Sequence, residues 1–325
     1  MDPLELVEIG NTGLRVSRLG IGGVAIGRTS TAEESYGTLK RCVELGVRYF
    51  DTAPLYGGGI SEERYGRVLS AIPRSSFTIS TKVGRSLEAP APAPVGAVIG
   101  PDHTNDVPYV YDYDTVMRVF EGSLKRLNLD DVDILLIHDP DNHFQEAMDG
   151  AYKALSELRS QGVVKAIGAG MNQWEMESRV AREGDFDCFL LAGRYTLLDQ
   201  QALPEFLPLC QERNISVIIG GPYNSGILAS DLSESATFNY RPAQREVLEQ
   251  ALRCKEVCDR HGVPLKAAAL QFVFGHPAVT AAIPGPRTVS EAEENFQMMS
   301  YSIPAALWEE LRHEGLLPAE APSPA

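Results

Sequence analysis

Asp133-Ile134-Leu135-Leu136-Ile137-His138 is a short apolar run that opens on a carboxylate and closes on an imidazole. Amphipathic stretches lie on either side of it, at 114–127 and around 146–160. An apolar run between two helical periodicities reads as a buried parallel strand reached by crossover helices. The same unit recurs in both directions. Strands are expected upstream at 18–22, 48–51 and 77–83, and downstream at 164–168, 188–192, 216–220 and 279–283. Thr31 is placed to cap a helix that runs to about Leu45, where Gly46 ends it, and Ser61-Glu62-Glu63 opens another. Eight strands, nearly all followed by helices, close as an α/β fold of the (β/α)8 TIM-barrel type. The competing architecture is a doubly wound open sheet, but Gly20-Ile21-Gly22-Gly23 is a weak echo of its G-x-G-x-x-G turn.

The reading gives one domain. A barrel spans 1–316, a hairpin (6–9 and 14–16, turning at Asn11-Thr12-Gly13) sits at its N-terminus, and 317–325 is expected to fray into a disordered tail. Residues 86–113 are a long loop after the third strand, rich in Pro, Gly and Ala and ending in Tyr109-Val110-Tyr111-Asp112-Tyr113. A loop of that length is expected to serve function, as a lid or substrate loop. The formal net charge of −15 excludes nucleic acid and anionic membranes as bulk partners. No stretch reaches the length of a membrane span, and Met1-Asp2-Pro3-Leu4-Glu5 has neither part of a signal peptide. Cys42, Cys188, Cys210, Cys254 and Cys258 contain no C-x-x-C pair, so reduced thiols and a cytoplasmic location are expected.

Chemistry in such a barrel sits at the C-terminal ends of the strands. Asp51 ends the second, Lys82 nearly ends the third, His138 ends the fourth, and Tyr56 follows Asp51 on a loop leading into Gly57-Gly58-Gly59. Singly, each has an ordinary structural use. Jointly, three consecutive strands deliver an acid, an amine and an imidazole to one rim, and a core gains nothing from buried charges that cost several kcal/mol unless paired. A free phenol has a pKa of about 10. A neighbouring Lys82 ammonium, held by Asp51, is expected to lower that of Tyr56, and His138 to hydrogen-bond the substrate oxygen. This is acid–base chemistry on a hydroxyl or carbonyl, the partner of a hydride transfer that needs a cofactor.

Tyr49-Phe50-Asp51-Thr52-Ala53-Pro54-Leu55-Tyr56-Gly57 with Ser61-Glu62, then Thr81-Lys82-Val83, then Leu136-Ile137-His138, together resemble the signature segments of the aldo-keto reductases. The resemblance runs from Gly13 to Asn295. It implies Asp51, Tyr56, Lys82 and His138 as the catalytic set, with Tyr56 and His138 touching the substrate, and NAD(P) lying extended across the barrel mouth. Ile167-Gly168-Ala169-Gly170-Met171-Asn172 resembles the carboxamide-binding segment, with Gly170 where many members have Ser and Asn172 retained. Gly220-Gly221-Pro222-Tyr223 stands where many members stack an aromatic on the nicotinamide. Asn224-Ser225-Gly226-Ile227-Leu228 resembles the pyrophosphate loop, so Gly220, Pro222, Asn224, Gly226 and Leu228 are expected at the cofactor. Gly22, Gly23, Asp51 and Arg194 complete that end.

Ile283-Pro284-Gly285-Pro286-Arg287 with Glu291, Glu294 and Asn295 resembles the adenosine segment, giving Gly285, Arg287, Glu291 and Asn295 as contacts. A carboxylate at Glu291 would repel a 2′-phosphate and accept from a free ribose diol, whereas Arg287 suits phosphate. The expectation is NAD, with NADP open. The long loop and the 168–174 run are similar to the sugar-oxidising branch of the family, the L-fucose, L-galactose and D-threo-aldose 1-dehydrogenases. Trp174, to stack on a sugar face, and Asn142 or His143, to bind hydroxyls, are the candidate sugar contacts. The expected substrate is therefore a small molecule, an aldose oxidised at C1, with pyridoxal oxidation or general carbonyl reduction as siblings; the oligomeric state stays open. A non-catalytic cofactor-binding regulatory subunit is the alternative of another class. A metal-dependent hydrolase built on His138-Asp139-Pro140-Asp141-Asn142-His143 is disfavoured because the first strand ends in Gly22-Gly23 rather than a His pair; no metal is expected.

Overall fold

Consecutive strand ends reach one rim because eight short parallel strands pair in chain order. The computed structural model describes residues 1–87 and 107–324. β1 (Leu6–Glu8) and β2 (Arg15–Ser17) form the expected antiparallel hairpin. The barrel strands are β3 (Gly20–Gly22), β4 (Tyr49–Asp51), β5 (Thr78–Val83), β6 (Ile134–His138), β7 (Ala166–Met171), β8 (Cys188–Ala192), β9 (Ser216–Gly220) and β12 (Val279–Ile283), while β10 (Thr237–Phe238) and β11 (Arg241–Pro242) make a small hairpin after β9. A parallel bridge between Leu19 and Ala282 joins the first barrel strand to the last, so the eight-stranded sheet closes as the expected (β/α)8 barrel.

Around it run α1 (Val24–Arg28), α2 (Ala32–Glu44), α3 (Ile60–Leu69), α4 (Tyr113–Leu127), α5 (Phe144–Glu146), α6 (Tyr152–Ser160), α7 (Trp174–Glu183), α8 (Phe206–Glu212), α9 (Arg245–Arg260), α10 (Leu265–Phe272), α11 (Val289–Ser300) and α12 (Ala305–His313). The start of α2 shows why the chain turns helical there. Thr31 Oγ1 accepts from Glu34 N while Glu34 Oε2 accepts from Thr31 N, satisfying two orphan amides at once. Gly46 then turns the chain with φ 88°, as expected.

Alternation along each strand splits the core in two. Ile134 and Leu136 point inward with Leu190, Ile218 and Ile283, and pack on Ile9, Leu14 and Val16 of the hairpin. Leu135 and Ile137 point outward with Ile167 and Phe189, against helix residues such as Leu155 and Phe206. The hairpin closes the end opposite the catalytic rim: Gly10 N donates to Ser216 Oγ and Arg48 N to Ser17 Oγ, both at strand starts. Each such burial contributes about 1.5–3 kcal/mol.

Some elements depart from the sequence reading. The strand expected at 164–168 is Ala166–Met171, because Lys165 N and Ala166 N both donate to Asp133 O and pairing continues to Met171↔Leu191. The helix expected around 146–160 is interrupted by a π turn at Ala147–Ala151. The chain packs closely there: a Cβ on Gly150 would lie 2.1 Å from Tyr111 O. Residues 317–324, expected as a frayed tail, lie on the barrel instead. Leu317 and Ala321 are buried, and Arg312 Nη1 donates to Ala321 O at 3.1 Å. Most of the expected lid loop, 88–106, lies outside the described residues. Among the described residues no helix is long and apolar enough to cross a membrane.

Candidate active site

β4 and β5 are adjacent and in register, Asp51 opposite Ser80, so the side chains of Asp51 and Lys82 meet inside the rim. Lys82 Nζ donates to both Asp51 oxygens, at 2.9 and 2.7 Å, and to Thr52 O at 2.9 Å. Ser80 Oγ donates to Asp51 Oδ1 at 2.7 Å and shares a hydrogen bond with the Tyr49 hydroxyl. Lys82 is 1% exposed, so nearly all of its hydration has been exchanged for these three contacts. Burial pushes the Asp51 carboxyl up, and the Lys82 ammonium and Ser80 hydroxyl oppose it.

Tyr56 closes the pocket from above. Lys82 Nζ lies 4.6 Å from its ring centroid, and the His138 ring meets it edge-on at 5.7 Å and 88°. The four residues that the sequence singled out are thus in one cluster. The phenol pKa moves opposite to the expected direction, however. Burial raises the Tyr56 pKa well above the usual phenol value, and the Asp51 and Asp139 charges add to it. Tyr56 is a protonated acid at neutral pH. His138 is held well below the usual imidazole range by burial, then by the Lys82 and Arg85 charges. It is a neutral ring, and its buried Nδ1 has no partner among the described residues.

Next to this cluster opens a cavity of about 550 Å3 that runs from Tyr56 and Asp51 past Gly220 and Pro222 to Arg287 and Glu291. Gly22, Gly23, Gly226, Gly285 and Asn295 also line it. The glycines keep it open and close-walled: a Cβ on Gly23 would lie 2.6 Å from Ser61 Oγ, and one on Gly22 2.8 Å from Ile283 O. Ser61 donates to Gly23 O and accepts from Thr52, which ties the start of α3 to the rim. A cavity of this volume, with glycine backbone along its walls, has room for a dinucleotide.

Asn172, Arg194, Asn224 and Leu228 stand behind the lining. Asn172 Nδ2 donates to Ala192 O and Asn224 Nδ2 to Gly193 O, and Leu228 is buried. Asn224 Oδ1 is buried without a partner among the described residues. Arg194 Nη1 reaches Asn239 Oδ1 at 3.1 Å, bracing the β10–β11 hairpin beside the cleft. At the far end Arg287 and Glu291 hold each other: Nη2 to Oε1 is 2.6 Å, and Arg287 N also donates to Oε2 at 2.7 Å. Lys266 is paired with Glu294 in the same way. Tyr223 donates its hydroxyl to Asn295 Oδ1.

Of the candidate sugar contacts, Asn142 is exposed and bonded to Asp141, and Trp174 is half-buried at the start of α7 with a buried Nε1 that has no partner among the described residues. The sequence reading missed Arg85, Tyr109, Asp139 and Tyr240 as residues of the mouth. Arg85 lies over the Tyr109 ring at 3.9 Å, Tyr109 stacks on His143 at 5.0 Å, and Tyr240 lines the cleft. The available signals were adjacency, since Asp139 directly follows His138, and the place of Tyr109 at the end of the long loop. Among the described residues no three His, Cys, Asp or Glu side chains group as a metal site.

A closed α/β barrel with a buried Lys–Asp pair under a protonated phenol, beside a dinucleotide-sized cleft, defines a nicotinamide-dependent oxidoreductase. Residues 18–313 match the model of the aldo/keto reductase family, and the chain belongs to that family. It is 37% identical to the pyridoxal 4-dehydrogenase of Microbacterium luteolum, over 95% of this chain and 97% of that protein. It is 36% identical to the D-threo-aldose 1-dehydrogenase of a Pseudomonas species, over 94% and 96%. The L-galactose dehydrogenase of Arabidopsis thaliana is 28% identical, over 91% and 88%. The fold is that of the holo form of an aldo-keto reductase from Bacillus halodurans, with a TM-score of 0.77 over 98% of both chains at 24% identity.

Proposed function

We propose that this protein oxidises the C1 hemiacetal hydroxyl of an aldose, of the L-fucose, L-galactose or D-arabinose type, to the lactone. A nicotinamide bound in the cleft would supply the hydride acceptor for C1. The observation that carries the reading is the Tyr56 phenol set against Lys82 and His138 at the head of the cleft. Tyr56 Oη, once its own proton has left to solvent, accepts the substrate's hydroxyl proton. Lys82 and Asp51 fix the charge beneath the ring, and neutral His138 hydrogen-bonds the substrate oxygen. Gly22, Gly23 and Gly220 admit the nicotinamide half of the cofactor, and Gly285, Arg287, Glu291 and Asn295 hold the adenosine half.

The preferred cofactor is NAD. Arg287 and Lys266, two cations at the adenosine end, are each engaged by a glutamate, so a 2′-phosphate meets no unmatched positive charge there. Oxidation of pyridoxal is the second reading, favoured by the 37% identity to a pyridoxal 4-dehydrogenase. The test is absorbance at the reduced-nicotinamide band with NAD+ or NADP+ across aldoses, pyridoxal and simple alcohols. Faster NAD+ reduction with an aldose supports the proposal; equal or faster reduction with pyridoxal replaces it with the second reading.

A further inference from the structure

The imidazole of His138 is placed with little help from its own ring. Its buried Nδ1 has no partner among the described residues, and the ring meets Tyr56 edge-on at 5.7 Å. An acid–base histidine is commonly oriented by a hydrogen bond at the nitrogen that does not react. Here the backbone that carries the ring has to do that work.

One hydroxyl holds that backbone. Tyr111, 1% exposed, donates to His138 O at 2.7 Å and to Asp139 O at 2.8 Å, one hydrogen shared between two carbonyls. Asp139 turns the chain off β6 with φ 47°, in the left-handed region that a residue with a side chain seldom adopts. Asp139 N still donates to Gly170 O at 3.0 Å, so the last pairing to β7 and the turn meet at His138.

Tyr111 is itself fixed at both ends. A Cβ on Gly84, whose φ is 98°, would lie 2.2 Å from the Tyr111 ring, and one on Gly150 would lie 2.1 Å from Tyr111 O. Gly84 stands just past Lys82 in the chain, and Val110 N donates to Gly84 O at 3.0 Å. The phenol therefore reaches from the end of β5 to the end of β6, the strands that carry the amine and the imidazole. Removing its oxygen would free two carbonyls at once, at the strand end that bears the histidine.

We infer that Tyr111 is the positioning residue for His138: its hydroxyl fixes the strand end that sets where the imidazole meets the substrate oxygen. This rests on the reading above, in which His138 hydrogen-bonds that oxygen. A displacement of about 1 Å at a reacting group costs up to about a hundredfold in rate, so slackening at His138 registers in turnover.

The test is Tyr111→Phe, which keeps the ring beside Gly84 and removes the oxygen. NAD+ reduction by D-arabinose is measured per NAD+-binding site, so that unfolded enzyme does not count. The turnover number should fall about ten- to a hundredfold, with NAD+ affinity within about twofold of wild type. In a His138→Ala background the same change should cost nothing further, since the group it positions is gone. Turnover per site close to wild type, or a loss that multiplies with that of His138→Ala, overturns the inference.

If Tyr111→Phe fails to fold, Asp139→Gly carries the comparison, because glycine takes φ 47° without strain. The variant with both changes should fold and turn over about tenfold or more below Asp139→Gly alone; equal turnover overturns the inference. A His138→Ala enzyme with full turnover would remove the reading of His138, and this inference with it. A wild type that oxidises pyridoxal but no aldose removes the aldose reading alone, and the comparison is then made with pyridoxal.

Discussion

Lys82 Nζ and Asp51 Oδ2 lie 2.7 Å apart inside a barrel where both side chains are almost fully shielded from water. Such a pair is costly to build and costly to break. Removing one partner leaves an uncompensated buried charge, so Lys82→Ala is expected to lose about 3–5 kcal/mol of stability as well as turnover. Replacing both, with Lys82→Met and Asp51→Leu, should recover much of the stability and none of the activity. Chemical denaturation of the three proteins checks this. A double variant as unstable as the single one would mean that the pair holds the fold.

The acid form of Tyr56 sets the sign of the pH dependence. Enclosure favours the neutral phenol, so oxidation, which must place a proton on that oxygen, gains as pH rises and the phenol is emptied. Reduction, which draws the proton from it, falls over the same range. His138 is already neutral because its own pKa is held down, so it contributes no inflection near the usual imidazole value. Profiles of kcat/KM in both directions test this, and an oxidation rate that declines with rising pH would contradict it.

Glu291 holds the guanidinium of Arg287 through both oxygens. Glu291→Ala is expected to release that cation and tighten NADP+ binding about tenfold, equivalent to roughly 1.4 kcal/mol. Loss of a first-turn acid from α11 should cost a further 0.3–1 kcal/mol of stability, roughly. Titration with both cofactors decides it. Unchanged NADP+ affinity would place the 2′ position elsewhere.

The C-terminal segment gives a stability prediction. Deleting 317–325 exposes the surface under Leu317 and Ala321 and removes the Arg312 bond to Ala321 O. The expected loss is about 2–4 kcal/mol, read as a lower thermal midpoint. No change in the midpoint would show that the segment is dispensable.

The barrel was legible because its signals are local and periodic: apolar runs at 188–192, 216–220 and 279–283 became β8, β9 and β12 with the same bounds. Asp51, Lys82 and His138 were legible because strand ends in this architecture converge. The rest depended on contacts between distant segments. The tail looks frayed in sequence because its burial depends on α12 and the loop near Gly275, where a Cβ would lie 2.2 Å from Pro322 O. The β10–β11 hairpin turns at Asn239 and Tyr240, both with positive φ and neither a glycine, so no turn signature marks it. The positive φ of Asp139 has no local signature, because Gly170 and Tyr111, both distant in sequence, hold its backbone. The tyrosine's protonation state followed from the depth of its enclosure, which no spacing encodes.

The account stands most directly on what one hydroxyl does. NAD+ reduction by D-arabinose and L-fucose should be measured for wild type and Tyr56→Phe, with cofactor binding followed in the same samples. The expected result is a loss of turnover of about 10^2- to 10^4-fold, the range for a positioned acid–base group, with NAD+ affinity retained. Turnover that survives the removal of that oxygen would contradict the mechanism.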